Sequence, residues 1–365
     1  MHRGVPGSHG VYETALHSVK HMGDAFIAGL PKCELHVHLE GTLEPGQCAA
    51  LAGRHGLAAP GDRPGAYDGL AGFLSDYYAA LDCLRDEQDF FDLTAAYLGT
   101  ARHQGVSYVE MFFDPQAHTS RGVPFDLVVS GIHRAQEDAR MRGGPGSALI
   151  LCFLRDAGAA SAKSTLEAAS PYRGWILGVG LDSNEEGHPP DEYAEVFAAA
   201  RAAGFRLTMH CDPLQADAVT HLWQCLELIG VDRVDHGVDC LRDERLCEQL
   251  RRRRLGLTFC PLSNLRLYGD LMGEAVTEML ARDLLVTVNS HDPAYFGGYV
   301  ADNYEALADA AHLDRTDLAR LARASFEASW LPAESKAAHQ RAVDGCAPSG
   351  SPPWDPAGGG RAPGR

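Results

Sequence analysis

Eight short apolar runs, each followed by sequence of helical pattern, recur in order along this 365-residue chain, and that order most constrains its fold. The runs fall at about 31–39, 106–113, 148–154, 175–181, 206–210, 231–236, 257–260 and 284–290. Polar residues stand repeatedly at their C-terminal ends: His36 and His38, Asp114, Asp156, Asp182, His210, His236, and His291 with Asp292. An open doubly wound sheet keeps its first and eighth strands apart. A closed barrel brings all the strand ends to one rim, where such barrels carry their chemistry. The expected architecture is therefore α/β, a (β/α)8 TIM barrel. One barrel domain is expected over 14–343, with a helical insertion at about 43–103 after the first strand. Residues 1–13, rich in Gly, Pro, His and Ser, read as a flexible N-terminus. The Pro/Gly-rich tail 344–365 reads as disordered.

The first run carries the sharpest chemical signal. Leu35, Val37 and Leu39 alternate with His36, His38 and Glu40, so both histidines point to one side of a strand. Two imidazoles side by side gain little from packing, but they make sense as metal ligands on a stiff element. The bland alternative is a surface strand with two satisfied histidines. Within the insertion, the aromatic stretch around Phe73 is placed either to overhang a pocket or to pack between helices.

Bulk composition narrows the partners. With 45% hydrophobic and 22% charged residues the chain is expected to be globular. A net charge of −17 argues against non-specific nucleic-acid binding and leaves room for a small heterocyclic ligand. No stretch has membrane-spanning length, and the N-terminus lacks a basic-then-apolar leader pattern. The ten cysteines contain no CxxC pair, which fits buried reduced thiols and a cytoplasmic setting. Barrels of this size often pair, so a homodimer is compatible with the sequence.

The segments Phe26-Ile-Ala-Gly-Leu-Pro-Lys-Cys-Glu-Leu-His-Val-His-Leu-Glu-Gly41, Glu110-Met-Phe-Phe-Asp-Pro-Gln116, Gly178-Val-Gly-Leu-Asp-Ser183, Asp235-His-Gly237, Cys260-Pro-Leu-Ser-Asn264 and Asn289-Ser-His-Asp-Pro293 occur in order. This series resembles the adenosine/adenine deaminase branch of the amidohydrolase superfamily, closest to its adenine deaminase-like members. The resemblance covers about residues 26–340 and implies a barrel of the metal-dependent hydrolase type. It implies one divalent metal, most simply Zn2+, on His36, His38 and His210, which makes hydroxide available near neutral pH. It assigns His236 to orienting or deprotonating that water. Asp292 is assigned to the substrate ring.

Two positions depart from the family pattern. The strand-five motif His-Ala-Gly-Glu is here His210-Cys-Asp-Pro213, so Pro213 stands where the family carries its proton donor. Asp212, one residue early, is the nearest replacement, with Glu185 on the loop after strand four as a second candidate near the substrate. The strand-eight pair Asp-Asp is here His291-Asp292, which makes the fourth expected ligand an imidazole. The expected activity is hydrolytic deamination of a modified adenine or related amino-heterocycle. Two alternatives stay open: hydrolysis of another C–N or amide bond in a small heterocycle, and a catalytically silent ligand-binding homologue.

Overall fold

The computed structural model describes residues 25–59, 61, 63, 67 and 69–346. Strands β1 (Lys32–His38), β2 (Val106–Phe113), β3 (Gly146–Leu154), β4 (Ile176–Asp182) and β5 (Arg206–Leu207) form one parallel sheet. Strands β6 (His210–Cys211), β7 (Arg233–His236), β8 (Gly256–Phe259) and β9 (Leu285–Val288) form a second. β5 and β6 are the two ends of one barrel strand, interrupted at Thr208 and Met209. The chain stays in the ring there: Thr208 N–H donates to Val179 O at 3.0 Å, and Asp235 N–H to Met209 O at 2.9 Å. The ring closes between β9 and β1 through a single parallel bridge, Val37 to His291. His38 N–H donates to His291 O at 2.9 Å and His291 N–H to His36 O at 3.0 Å. The barrel expected from the alternation of runs is the fold observed.

The strands are nearly continuous apolar runs because a parallel sheet is covered on both faces. From Leu149 to Leu154, β3 is wholly buried. The surrounding helices bury one stripe and expose charge. In Glu244–Arg253 the buried residues are Leu246, Cys247 and Leu250, at helical spacing, and Asp243 caps the helix by accepting from the Arg245 and Leu246 amides.

Where backbone pairing is thinnest, at the β9–β1 seam, buried side chains take over. Asn289 Oδ1 accepts from the Leu35 amide at 2.8 Å. Glu34 accepts from the Ser290 amide at 3.1 Å and from Tyr97 Oη at 2.6 Å. At the other end of β1, Lys32 Nζ donates to the carbonyls of Leu30 at 2.9 Å and Gln104 at 3.0 Å, and to that of Ile27.

The insertion between β1 and β2 carries helices among its described residues. Its helices Pro45–Arg54, Gly69–Ala80 and Glu87–His103 are described, and the second overhangs the C-terminal rim. Residues 344–346 end the helix Ala333–Cys346 rather than starting a loose tail. The expected N-terminus 1–13 and the remainder of the tail lie outside the described residues. Among those residues no helix is long and apolar enough to cross a membrane.

Candidate metal and substrate site

His36 and His38 leave β1 on the same side, as strand alternation requires, with ring centroids 5.4 Å apart. His210 begins β6, His236 ends β7, and His291 follows β9 at the seam. All five imidazoles meet. His36 lies 4.6 Å from His210, 4.7 Å from His236 and 4.5 Å from His291, ring centre to ring centre. Phe112 forms an apolar floor beneath His36, His38 and His210, with centroids at 5.1, 5.0 and 5.5 Å.

The nitrogens converge in the sense a metal needs. Nε2 of His210 is 3.1 Å from Nε2 of His36 and 3.1 Å from Nε2 of His38. Tetrahedral Zn–N bonds of 2.0–2.1 Å call for donors roughly 3.3 Å apart. The outward nitrogens of His36 and His210 are engaged elsewhere, which fixes their tautomers. His36 Nδ1–H donates to Thr258 Oγ1 at 2.8 Å, and that hydroxyl donates on to Asp235 at 3.0 Å. His210 Nδ1–H donates to Leu181 O at 3.1 Å. Asp182 lies 3.4 Å from His38 Nδ1. The Nε2 lone pairs of His36 and His210 are thereby aimed inward, an arrangement shared by metal-binding histidines. Burial holds His38 down to about 4 and His36 and His210 well below the usual imidazole range, so all three are neutral donors. The residues present fit a divalent ion.

His291 and Asp292 sit beside this triad. His291 Nδ1 hydrogen-bonds its neighbour Asp292, which leaves Nε2 as the ring nitrogen not engaged by Asp292. Ligand atoms of His36, His210, His236 and His291 all lie within 4.8 Å of one another, and so do those of His38, His291 and Asp292. Asp292 Oδ1 is buried and has no hydrogen-bond partner. Burial pushes its carboxyl up to about 7. Gly41 makes the room: a Cβ there would stand 1.8 Å from Asp292 Oδ1.

Asp212 follows β6 and shares the inner face with His210, two residues before it, while Cys211 turns outward to Cys225 (Sγ to Sγ 3.5 Å). Asp212 Oδ1 lies 3.4 Å from His236 Nε2. Burial first, and then the charge of Glu185, push the Asp212 carboxyl up to about 8. Glu185 itself does not reach the cavity wall, contrary to its expected place near the substrate. Its oxygens are occupied from behind: they accept from the Asp212 amide at 2.8 Å and from His221 Nδ1, and Arg155 stands 3.6 Å away. Glu185 therefore shapes the Asp212 turn.

His38, His210, Asp212, His291 and Asp292 open on a common cavity. Phe73 lines its roof, in an aromatic cluster with Tyr77 (5.4 Å), Tyr295 (5.6 Å) and Phe296 (4.8 Å). Leu70, Leu74 and Tyr78 continue that roof, and Tyr78 Oη donates to Ser183 Oγ at 3.0 Å. The wall also holds Asp114 and Asp182, which the sequence marked as strand-end polar residues without giving them a role. Burial raises Asp182 to about 7 and, with the Asp182 charge beside it, lifts Asp114 well above the carboxylate range.

A family model described as adenosine deaminase matches residues 31–345. The chain belongs to the adenosine deaminase family. It is an enzyme of the metal-dependent amidohydrolase and deaminase class. Within the family it is 48% identical over 328 residues to adenine deaminase of Sphingopyxis alaskensis, covering 88% of this chain and 96% of that protein. It is 45% identical over 326 residues to adenine deaminase of Chlorobium phaeobacteroides, covering 87% and 97%. Among solved structures, adenine deaminase from Arthrobacter aurescens superposes with a TM-score of 0.82 at 38% identity, covering 87% of this chain and 98% of that one. An amidohydrolase from Burkholderia ambifaria with bound Zn gives 0.79 at 26% identity, covering 88% and 91%.

Proposed function

We propose that this chain hydrolyses the exocyclic amino group from a modified adenine or a related amino-heterocycle, with Asp212 in the proton-donating role that Pro213 cannot fill. The observation that carries this reading is the placement of Asp212 on the cavity wall 3.4 Å from His236, beside three convergent histidine nitrogens. His36, His38 and His210 would hold one Zn2+, in keeping with the zinc bound by the Burkholderia relative, and His291 stands as the fourth candidate ligand. Bound there, the ion acidifies water and polarises the site.

The rest is done by the chain's own groups. His236, neutral and with both ring nitrogens free of hydrogen-bond partners, accepts the proton of the attacking water. As water adds to the amino-bearing carbon, electrons move onto the adjacent ring nitrogen, and the Asp212 carboxyl supplies a proton there. The amino group takes up the proton held by His236 and leaves as ammonia, the added hydroxyl loses its proton back to Asp212, and the ring becomes the oxo product with the proton kept on its nitrogen. Asp292 holds the ring through Oδ1, and the Phe73 roof keeps bulk water out. No Lys or Arg stands among the described residues lining the cavity, so phosphate-bearing substrates have no counter-charge there. We place the enzyme in the cytoplasm, where buried thiols stay reduced.

Pro213 in place of the family acid favours one competing reading, hydrolysis of another C–N or amide bond that needs no ring protonation. A single screen separates the two. The zinc-loaded protein is incubated with adenine, adenosine, N6-substituted adenines and aminopteridines, and both ammonia or amine release and oxo-product absorbance are followed. Release from an amino-heterocycle is expected, with adenine and adenosine themselves turned over weakly. His36→Ala is expected to lose both metal and activity. A metal-loaded wild type that releases nothing from any of these compounds contradicts the proposal.

A further inference from the structure

The fifth barrel strand loses its ladder with β4 where it enters the site. Thr208 N–H still donates to Val179 O at 3.0 Å, but β4 pairs only with Arg206 and Leu207, and His210 and Cys211 pair only with β7. On the β7 side the bonds continue: Asp235 N–H donates to Met209 O at 2.9 Å and Gly237 N–H to Cys211 O at 3.1 Å. The carbonyl of His210 and the amide of Asp212 belong to the opposite edge, where β4 no longer meets them. Buried backbone groups of this kind need partners from somewhere.

Two side chains supply them. Arg155, at the end of β3, donates from Nη2 to His210 O at 2.8 Å. Glu185, on the loop after β4, accepts from Asp212 N–H at 2.8 Å. Nη1 of Arg155 stands 3.6 Å from Glu185 Oε2, and both side chains are fully buried. Each is held in turn: His221 Nδ1 hydrogen-bonds Glu185 Oε1, and Tyr193 Oη donates to Arg155 O. An ion pair taken wholly out of water is costly unless its geometry is used for more than mutual attraction. Neither charge lines the cavity, so substrate contact does not account for the pair. The backbone bonds do.

We propose that Arg155 and Glu185 are positioning residues for the reaction: they grip the backbone on both sides of Cys211 and so hold the Asp212 carboxyl in the cavity beside His236. This rests on the proton-transfer reading of Asp212 and goes beyond it in naming what fixes that group. Asp212 Oδ1 lies 3.4 Å from His236 Nε2. A displacement of about 1 Å at such a group costs about 10²-fold in rate.

The test compares Glu185→Ala and Glu185→Gln, alone and combined with Asp212→Asn, at matched zinc content. Glu185→Ala is expected to lower kcat about 10²-fold with KM within about threefold of wild type and zinc retained. Glu185→Gln keeps an acceptor for the Asp212 amide and is expected to recover at least about tenfold of that loss. In the Asp212→Asn background Glu185→Ala is expected to cost less than about threefold further, because the group it positions is already disabled. Hydrogen exchange of the peptide spanning residues 209–217 is expected to quicken about tenfold in Glu185→Ala. If Glu185→Ala fails to fold, Arg155→Met/Glu185→Ala, which leaves no lone buried charge, takes its place. An unchanged kcat or exchange rate, zinc loss, or an equal cost with and without Asp212 overturns the proposal. The exchange measurement needs no substrate. Equal kcat in wild type and Asp212→Asn is instead the failure of the proton-transfer reading.

Discussion

His236 and His291 leave their strands with φ of +61° and +65°, a left-handed conformation that costs a non-glycine residue about 1–2 kcal/mol. Both belong to the cluster that would surround a metal, where such strain commonly gathers. Their neighbour Asp292 separates two roles that the sequence alone leaves joined. If it serves the substrate, Asp292→Asn lowers turnover by about 10²-fold or more while metal analysis still finds one ion per chain. Loss of the ion from Asp292→Asn would make it a ligand instead. Gly41→Ala probes the same side chain from outside, because the added methyl must displace Asp292 Oδ1. A fall of about 10²-fold in kcat with unchanged metal content is expected, and an unaffected kcat would show that the position of Asp292 is immaterial. His36 and His38 were legible as a pair because a strand repeats every two residues, whereas His210, His236 and His291 were gathered to them by the family resemblance. Asp114 was legible only as a polar residue at a strand end, because Asp-Pro after a strand reads as an ordinary helix start although no side-chain capping bond is made.

At the level of elements, the eight strands could be read directly because each is an apolar run buried on both faces. The break between β5 and β6 could not. Thr208 and Met209 continue the apolar pattern, and the break lies in backbone pairing alone. Glu185 was misplaced for a related reason: an acid on a rim loop looks exposed to substrate until His221 and the Asp212 amide are seen to occupy it. Lys32, at the far end of β1, gives a prediction in pH. Burial lowers its ammonium from 10.5 to about 8. Between those values the unfolded chain keeps a proton that the folded chain has lost, so this residue makes stability rise as pH goes from about 8 to 10.5. Urea melts across that range should show the positive contribution in wild type and its absence in Lys32→Met. The same substitution removes the donor of the buried Ile27 and Leu30 carbonyls and of the half-buried Gln104 carbonyl, and should cost about 2–4 kcal/mol at pH 7. Equal pH slopes in the two proteins would remove Lys32 from the account.

For the whole molecule, closure of the ring is what brings the first and last strands to one site. The seam has one backbone bridge, and Asn289 and Glu34 bind across it. Asn289→Ala strands the buried Leu35 amide and should cost about 1–3 kcal/mol, seen as a melting midpoint lower by several degrees. Because His291 hangs from this seam, metal affinity should fall with it, and a variant with unaltered midpoint and affinity would deny the seam that role. The barrel also explains why the reaction can be argued from so few residues. His210, Asp212, His236, His291 and Asp292 come from the fifth, sixth and eighth barrel strands, and His36 and His38 of the first strand join them only because the ring is shut.

The account turns on Asp212 having taken over the proton transfer that Pro213 cannot perform. A positioned general acid is typically worth 10²–10⁴ in rate. The direct measurement is kcat for wild type and Asp212→Asn on the best amino-heterocycle substrate, at matched zinc content. A loss of about 10²–10⁴-fold with zinc retained is the predicted result. Equal turnover by the two proteins would contradict it.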